Sequence, residues 1–143
     1  MNIKKSMILA FSLFLTFALY ACGDGVDYDD MPHVDYDDMP HIDDFSELSE
    51  YDETGEMYLL YFYLPQCPAC QEVFDDIADH YMNHHDDVPI VLSYQTTGTP
   101  PAEVTHVPTM LLMQSGEVLE GPIVGVEPIR DLLADIQSGN YTP

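Results

Sequence analysis

An α/β domain with a central mixed sheet and flanking helices, built as βαβ followed by ββα, is the fold this sequence predicts. Three observations predict it. Residues 57–64 form a nearly unbroken apolar and aromatic run rich in strand formers. Directly after it, at Cys67-Pro-Ala-Cys70, the apolar spacing becomes helical, through Val73, Phe74, Ile77, Ala78 and Tyr81. A second apolar run follows at Val88–Tyr94, and the chain closes on two apolar strands and an amphipathic helix.

Taken in order, Phe45, Leu48 and Tyr51 predict a short amphipathic helix closed by Thr54-Gly55. The 57–64 strand is apolar on both faces, which suits a central position covered on both sides. A helix over Cys67–His84 ends in the polar cluster His84-His85-Asp86-Asp87. Because that helix separates the 57–64 and 88–94 strands, the crossover makes them parallel neighbours. Gln95–Thr105, rich in Thr, Gly and Pro, reads as loop. Thr109–Gln114 and Val118–Val124, joined by Ser115-Gly116-Glu117, read as a hairpin. Glu127–Gln137 carries Ile129, Leu132, Leu133 and Ile136 at helical spacing, with Gly139 as the stop.

The N-terminus reads as a targeting segment over residues 1–21. Lys4 and Lys5 precede an apolar run from Met7 to Leu19, which is shorter than the ~20 residues a membrane span needs. Leu19-Tyr20-Ala21-Cys22 resembles the bacterial lipobox, which implies that Cys22 is acylated and begins the mature chain. Residues 22–43 then read as an acidic repeat tether: Asp27-Tyr-Asp-Asp-Met-Pro-His-Val34 recurs as Asp35-Tyr-Asp-Asp-Met-Pro-His-Ile42. Two copies are too few for a solenoid, and their charge favours an extended segment with about 25 Å of reach. Met, His and Asp in register also offer metal ligands, the thioether favouring copper. The folded domain is expected over 44–143.

Charge excludes whole classes of function. There are 26 acidic residues against 3 basic ones, and Arg130 is the only basic residue outside the targeting segment. Such a chain cannot neutralise phosphates, so nucleic acid is not a partner. Adsorption to an anionic lipid surface is equally disfavoured, so the expected membrane attachment is the lipid on Cys22. The expected location is the extracytoplasmic side of the cell membrane. With Cys22 lipidated, Cys67 and Cys70 remain as one pair, without an odd thiol.

A C-x-x-C pair at a strand-to-helix junction reads as a redox dithiol. A thiol at a helix start faces unpaired N–H groups and the positive end of the helix dipole, which favour negative charge there. A structural disulfide, or half of a zinc site completed by two histidines, uses the same two residues. His80 and His84, at i and i+4, similarly offer either a metal half-site or a favourable helix C-terminus.

The order of elements, with the dithiol at the first strand-to-helix junction, resembles the thioredoxin family. Three stretches carry the resemblance: Tyr61–Cys70, Val104-Thr-His-Val-Pro-Thr-Met-Leu-Leu-Met113, and Ser115-Gly-Glu-Val-Leu119 through Gly125 into the last helix. The resemblance implies that Cys67 is the exposed nucleophile and Cys70 the resolving thiol of a redox-active disulfide. It implies further that Pro108 is a cis-proline beside the pair and that the Val107 backbone meets bound substrate. His106, two residues before Pro108, is placed by it near the dithiol, as a thiolate-stabilising group or a surface loop residue. The chain departs from the family at Gln66, where tryptophan is common, and at Tyr61, about where thioredoxins keep a buried acid. The inter-cysteine pair Pro68-Ala69 is neither the reducing nor the strongly oxidising type, so redox direction stays open.

The function expected from these residues is an extracytoplasmic, membrane-anchored thiol–disulfide oxidoreductase. Its partners are exported protein thiols and disulfides and a redox protein that resets the pair; no small-molecule cofactor is needed. The alternative is a non-catalytic accessory module on the same scaffold, or one that handles copper or zinc.

Overall fold

The computed structural model describes residues 34–141. The targeting segment, Cys22 and the first copy of the repeat up to His33 lie outside the described residues. The five strands are β1 (His41–Asp44), β2 (Met57–Phe62), β3 (Ile90–Thr97), β4 (Thr109–Gln114) and β5 (Glu117–Val124). The helices are α1 (Leu48–Asp52), α2 (Pro68–Glu72), α3 (Phe74–His84) and α4 (Val126–Gln137), with 3-10 turns at Tyr36–Asp38 and Phe45–Glu47. Sheet order is β1-β3-β2-β4-β5.

β2 runs parallel to β3, pairing Leu59 with Ile90 and Phe62 with Ser93, as the helical crossover requires. Its other edge pairs antiparallel with β4, Met57 opposite Gln114 and Phe62 opposite Thr109. Both faces are covered. Leu59, Tyr61 and Tyr63 meet Cys70, Ile77, Ile129 and Leu133 of α2, α3 and α4, and Val73 between α2 and α3, on one side. Tyr58, Leu60 and Phe62 meet Ile42, Leu48 and the partly buried Ala102 and Val104 on the other. A strand buried twice over must be apolar at every position, which is what the 57–64 run supplies.

The β4–β5 hairpin turns on Ser115 and Gly116, both at positive φ (51° and 80°). That pairing of signs gives a tight turn whose twist matches its strands. Asp52 Oδ1 fixes the turn by accepting from the Gly116 N–H at 2.9 Å and from the Tyr58 hydroxyl at 2.7 Å. On β5, Gly121 has φ 123°, and a Cβ there would meet Leu111 Cδ2 at 2.9 Å and the Met110 carbonyl at 3.0 Å. A side chain at that position would push the hairpin off β4.

Three features differ from the sequence reading. The helix expected over Cys67–His84 is two helices, broken at Val73, whose ψ of −2° leaves helical geometry. β3 runs on to Thr97, because Thr96 Oγ1 donates to the Ile42 carbonyl (3.0 Å) and Thr97 Oγ1 to that of Asp43 (3.1 Å). The third difference is larger. The second copy of the repeat, read as tether, belongs to the folded domain. Met39 and Ile42 are 3% exposed, and β1 pairs in parallel with β3, His41 opposite Leu92. Its charge is real but points outward: Asp35, Asp37 and Asp38 are exposed while Met39 and Ile42 go inward. Both ring nitrogens of His41 are engaged, Nδ1 with the Met39 carbonyl (2.8 Å) and Nε2 with the Tyr63 hydroxyl (2.7 Å).

His80 is fully buried, with Nε2 donating to the Val88 carbonyl at 2.8 Å. It ties α3 to the entry of β3. Its Nδ1 is buried with no partner. The His85 Nδ1 accepts from the Ile90 N–H at 3.2 Å. Burial, the main cause at both rings, holds their pKa values below the ordinary histidine value. Arg130 joins α4 to the neighbouring helices through Asp76 (2.8 Å), with Glu127 beside it at 2.9 Å.

Two predictions follow from this packing. Met39→Ala should destabilise the protein by about 2–4 kcal/mol in urea unfolding, the range for truncating a buried methionine; a loss below about 0.5 kcal/mol would return this segment to the tether. The unfolded chain protonates histidines near pH 6.5. The folded chain resists, so stability should be full above about that pH and fall as pH drops below it. His80→Leu should lower the urea midpoint at pH 7.5 and flatten its decline between pH 7.5 and 5.5. An unchanged slope would remove His80 as a source of acid sensitivity.

Candidate functional site

The loop from Leu64 to Gln66 leaves the C-terminal end of central β2 and delivers Cys67 to the start of α2. Cys67 keeps extended backbone geometry (φ −79°, ψ 118°) and caps the helix with its own side chain: the Cys70 N–H donates to Cys67 Sγ at 3.3 Å. Pro68 takes the first helical position, where its missing N–H costs nothing. Gln71 Nε2 donates back to the Pro65 carbonyl at 3.0 Å, holding the loop against the helix. Both cysteines are free thiols, Cys67 half-buried and Cys70 with no exposure.

Opposite Cys67 lies the loop before β4. The Cys67 thiol faces the Val107 carbonyl at 3.8 Å, and the Val107–Pro108 peptide is cis. Gly125 N–H donates to the Pro108 carbonyl at 3.0 Å, and Thr109 Oγ1 donates to the His106 carbonyl at 2.7 Å, so the loop is held on both sides. Cys67, Cys70, Val107 and Pro108 therefore come together from sequence positions about forty residues apart. His106 does not turn to the thiols: its exposed ring lies against Thr105 Oγ1 at 2.8 Å through Nδ1.

Beneath the pair is a cluster of aromatic hydroxyls. Tyr36, from the second copy of the repeat, donates to the Cys70 carbonyl at 2.8 Å. Its ring stacks on Tyr63 at 4.2 Å and meets the edge of Phe74 at 4.5 Å. Tyr61, with no exposure, puts its hydroxyl 3.4 Å from that of Tyr36. Burial is the largest cause that pushes the Cys70 thiol up to about 11; the neighbouring Cys67 sulfur adds to it, and hydrogen bonds from the Leu64 backbone and Tyr61 oppose it. Burial likewise holds the Tyr36 and Tyr61 phenols far above their ordinary values, and Tyr63 at about 12. All three tyrosines are neutral donors at any physiological pH.

Chemically, the arrangement presents one accessible sulfur at a helix start and a second, shielded sulfur one turn further along. That is the geometry for forming a mixed disulfide at Cys67 and resolving it from Cys70. Among the described residues no group of three or more His, Cys, Asp and Glu is placed to hold a metal ion. Tyr36 is the site residue that reading the sequence missed. The signal lay in the repeat's apolar positions, Tyr36, Met39 and Ile42, hidden among Asp35, Asp37 and Asp38.

At the level of sequence, no protein-family model and no curated protein matches the chain. Solved structures do. Mitochondrial thioredoxin 3 of Saccharomyces cerevisiae, in its oxidised form, superposes with a TM-score of 0.58 at 21% identity, over 72% of this chain and 97% of that one. This chain has the thioredoxin fold. The oxidised thioredoxin of Plasmodium falciparum gives 0.55 at 15% identity, over 68% of this chain and 97% of that one. A chain from a study of thiol resolution in a yeast mitochondrial 1-Cys peroxiredoxin gives 0.57 at 20% identity, over 73% and 99%. The thioredoxin-fold expectation, with its mixed sheet and flanking helices, is met.

Proposed function

We propose that this protein is a thiol–disulfide oxidoreductase that works outside the cytoplasm, anchored to the membrane through lipid on Cys22, and exchanges disulfides with exported proteins through Cys67 and Cys70. One observation carries the reading. The capping sulfur of Cys67 faces the carbonyl of Val107, at the cis Val107–Pro108 peptide, with buried Cys70 one helical turn behind it. A structural disulfide has no need of a half-exposed sulfur, a held loop beside it and a second thiol in reserve.

In the reducing direction the Cys67 thiolate attacks a substrate disulfide, forming a Cys67–substrate bond and expelling one substrate thiolate. Cys70, as thiolate, then attacks Cys67 Sγ and expels the second. Two electrons pass to the substrate and the pair ends as a disulfide, which a redox partner reduces. In the oxidising direction each step reverses. Val107 and Pro108 form the wall against which a substrate chain lies, with His106 at its outer edge. Among the described residues no helix is long and apolar enough to cross a membrane, and the attachment proposed at Cys22 requires none.

Cys70→Ser should trap mixed disulfides through Cys67, visible in cells as higher-mass adducts that collapse on reduction. The Cys67→Ser/Cys70→Ser double variant should trap none. If the single variant yields no adduct, the oxidoreductase reading fails. A potential titration of the pair assigns direction: near about −270 mV it reduces, near about −120 mV it oxidises.

A further inference from the structure

The helix break at Val73 follows closely on the resolving thiol, and it frees two carbonyls. An unbroken helix would close those of Cys70 and Glu72 with the N–H groups of Phe74 and Asp76. Because α2 ends at Glu72 and α3 starts at Phe74, both carbonyls turn instead to side chains from distant parts of the chain. The Tyr36 hydroxyl donates to the Cys70 carbonyl at 2.8 Å, and Arg130 Nη2 donates to the Glu72 carbonyl at 3.1 Å. One donor arrives from the segment before β1 and the other from α4.

We propose that Tyr36 and Arg130 are positioning residues of the dithiol, a two-point clamp that holds α2, and with it the resolving sulfur, across the break. This rests on the redox reading of the pair. α2 is five residues long, and a helix of that length does not hold itself in water. Its own rungs are few: the Gln71 N–H reaches the Cys67 carbonyl at 3.0 Å and the Val73 N–H that of Ala69 at 3.3 Å. Left to those, α2 would fray back from Val73. The Cys70 N–H, which now points at Cys67 Sγ from 3.3 Å, would then lose its register with that sulfur.

Each arm of the clamp is itself held. The Tyr36 ring stacks on Tyr63 at 4.2 Å and meets the edge of Phe74 at 4.5 Å, so it touches the far side of the break as well. A tyrosine hydroxyl has one hydrogen to donate. That of Tyr36 goes to the Cys70 carbonyl, and its oxygen faces the Tyr61 hydroxyl at 3.4 Å. Arg130 reaches Asp76, in the first turn of α3, at 2.8 Å and Glu127, on its own helix, at 2.9 Å. Its guanidinium spans both sides of the break, with a fixed fork that a lysine would not reproduce. This gives a role to the only basic residue between Cys22 and Pro143. The clamp acts on the second chemical step. Attack by Cys67 on a small disulfide needs an exposed sulfur, whereas resolution needs Cys70 aligned on Cys67 Sγ within one helical turn.

The test mixes the reduced full chain with Ellman's disulfide at pH 7.5. Attack by Cys67 releases one thionitrobenzoate at a rate that scales with the reagent. Attack by the Cys70 thiolate on Cys67 Sγ then releases a second at a rate independent of the reagent, which leaves the pair oxidised and the reagent reduced. Tyr36→Phe keeps the stacked ring and removes only the hydroxyl; Arg130→Met keeps an apolar stem and removes the fork. Each should leave the first phase in place and slow the second about tenfold, as a small misplacement of reacting groups does. Tyr81→Phe removes another hydroxyl bond to the same N-terminal segment, at the Asp38 carbonyl (3.3 Å), without touching the break, and should change neither phase. An unmoved second phase in either variant, or an equal slowing in Tyr81→Phe, overturns the clamp and leaves the redox reading standing. A wild-type Cys67 that releases no thionitrobenzoate overturns the redox reading itself.

Discussion

The burial of β2 is the constraint from which the rest of the structure follows. It is hydrogen-bonded along both edges and covered on both faces, so none of its side chains from Tyr58 to Phe62 reaches water. A strand in that position fixes its neighbours' register, because a one-residue slip would exchange the two cores. It also fixes where the chain must leave the sheet. Leu64, 47% exposed, is the first residue outside, and Cys67 follows within three positions. The Cys67 sulfur is thus placed by the most buried strand of the domain and presented on the first turn outside it. Precision at Cys67 comes from β2 and accessibility from the loop.

The same burial shapes the chemistry beneath. Tyr61 sits where the sheet can tolerate a polar atom only if that atom is hydrogen-bonded. It solves this by facing the Tyr36 hydroxyl at 3.4 Å, which in turn donates to the Cys70 carbonyl. A carboxylate in that place would be a base but would carry a desolvation cost the phenol avoids. The price of the neutral solution is a resolving thiol at about 11, so that only a small fraction of Cys70 is ionised at neutral pH. In the reaction proposed above, a mixed disulfide at Cys67 would persist for longer than it would beside a base.

Much of this was legible in the sequence. The period change at Cys67, the continuous apolar run before it and the hairpin after Pro108 each have a local cause, and each appears where the residues put it. What was not legible depends on contacts between distant segments. The break at Val73 lies within unbroken helical spacing. β1 lies in a stretch where Asp37, Asp38, Pro40 and His41 separate Tyr36, Met39 and Ile42, a three-residue step that fits neither the strand period of two nor the helical 3.6. Charge density read as solvation was correct for Asp35, Asp37 and Asp38 and wrong for Tyr36, Met39 and Ile42. Tyr36 was invisible for the same reason, since only its neighbours in space, Tyr63, Phe74 and Cys70, give it a role.

The acidic repeat therefore does two jobs with one pattern. Its aspartates keep the outer surface strongly negative, while Tyr36, Met39 and Ile42 close the domain, Met39 entering one core and Ile42 the other. Because Met39 and Ile42 fall on opposite faces of the sheet, the segment wraps the β3 edge and stops β3 from being an open edge itself. Tyr36 arrives at the dithiol as a consequence of that wrapping. The charged stretch leading back toward Cys22 is thus continuous with a segment that touches the Cys70 carbonyl.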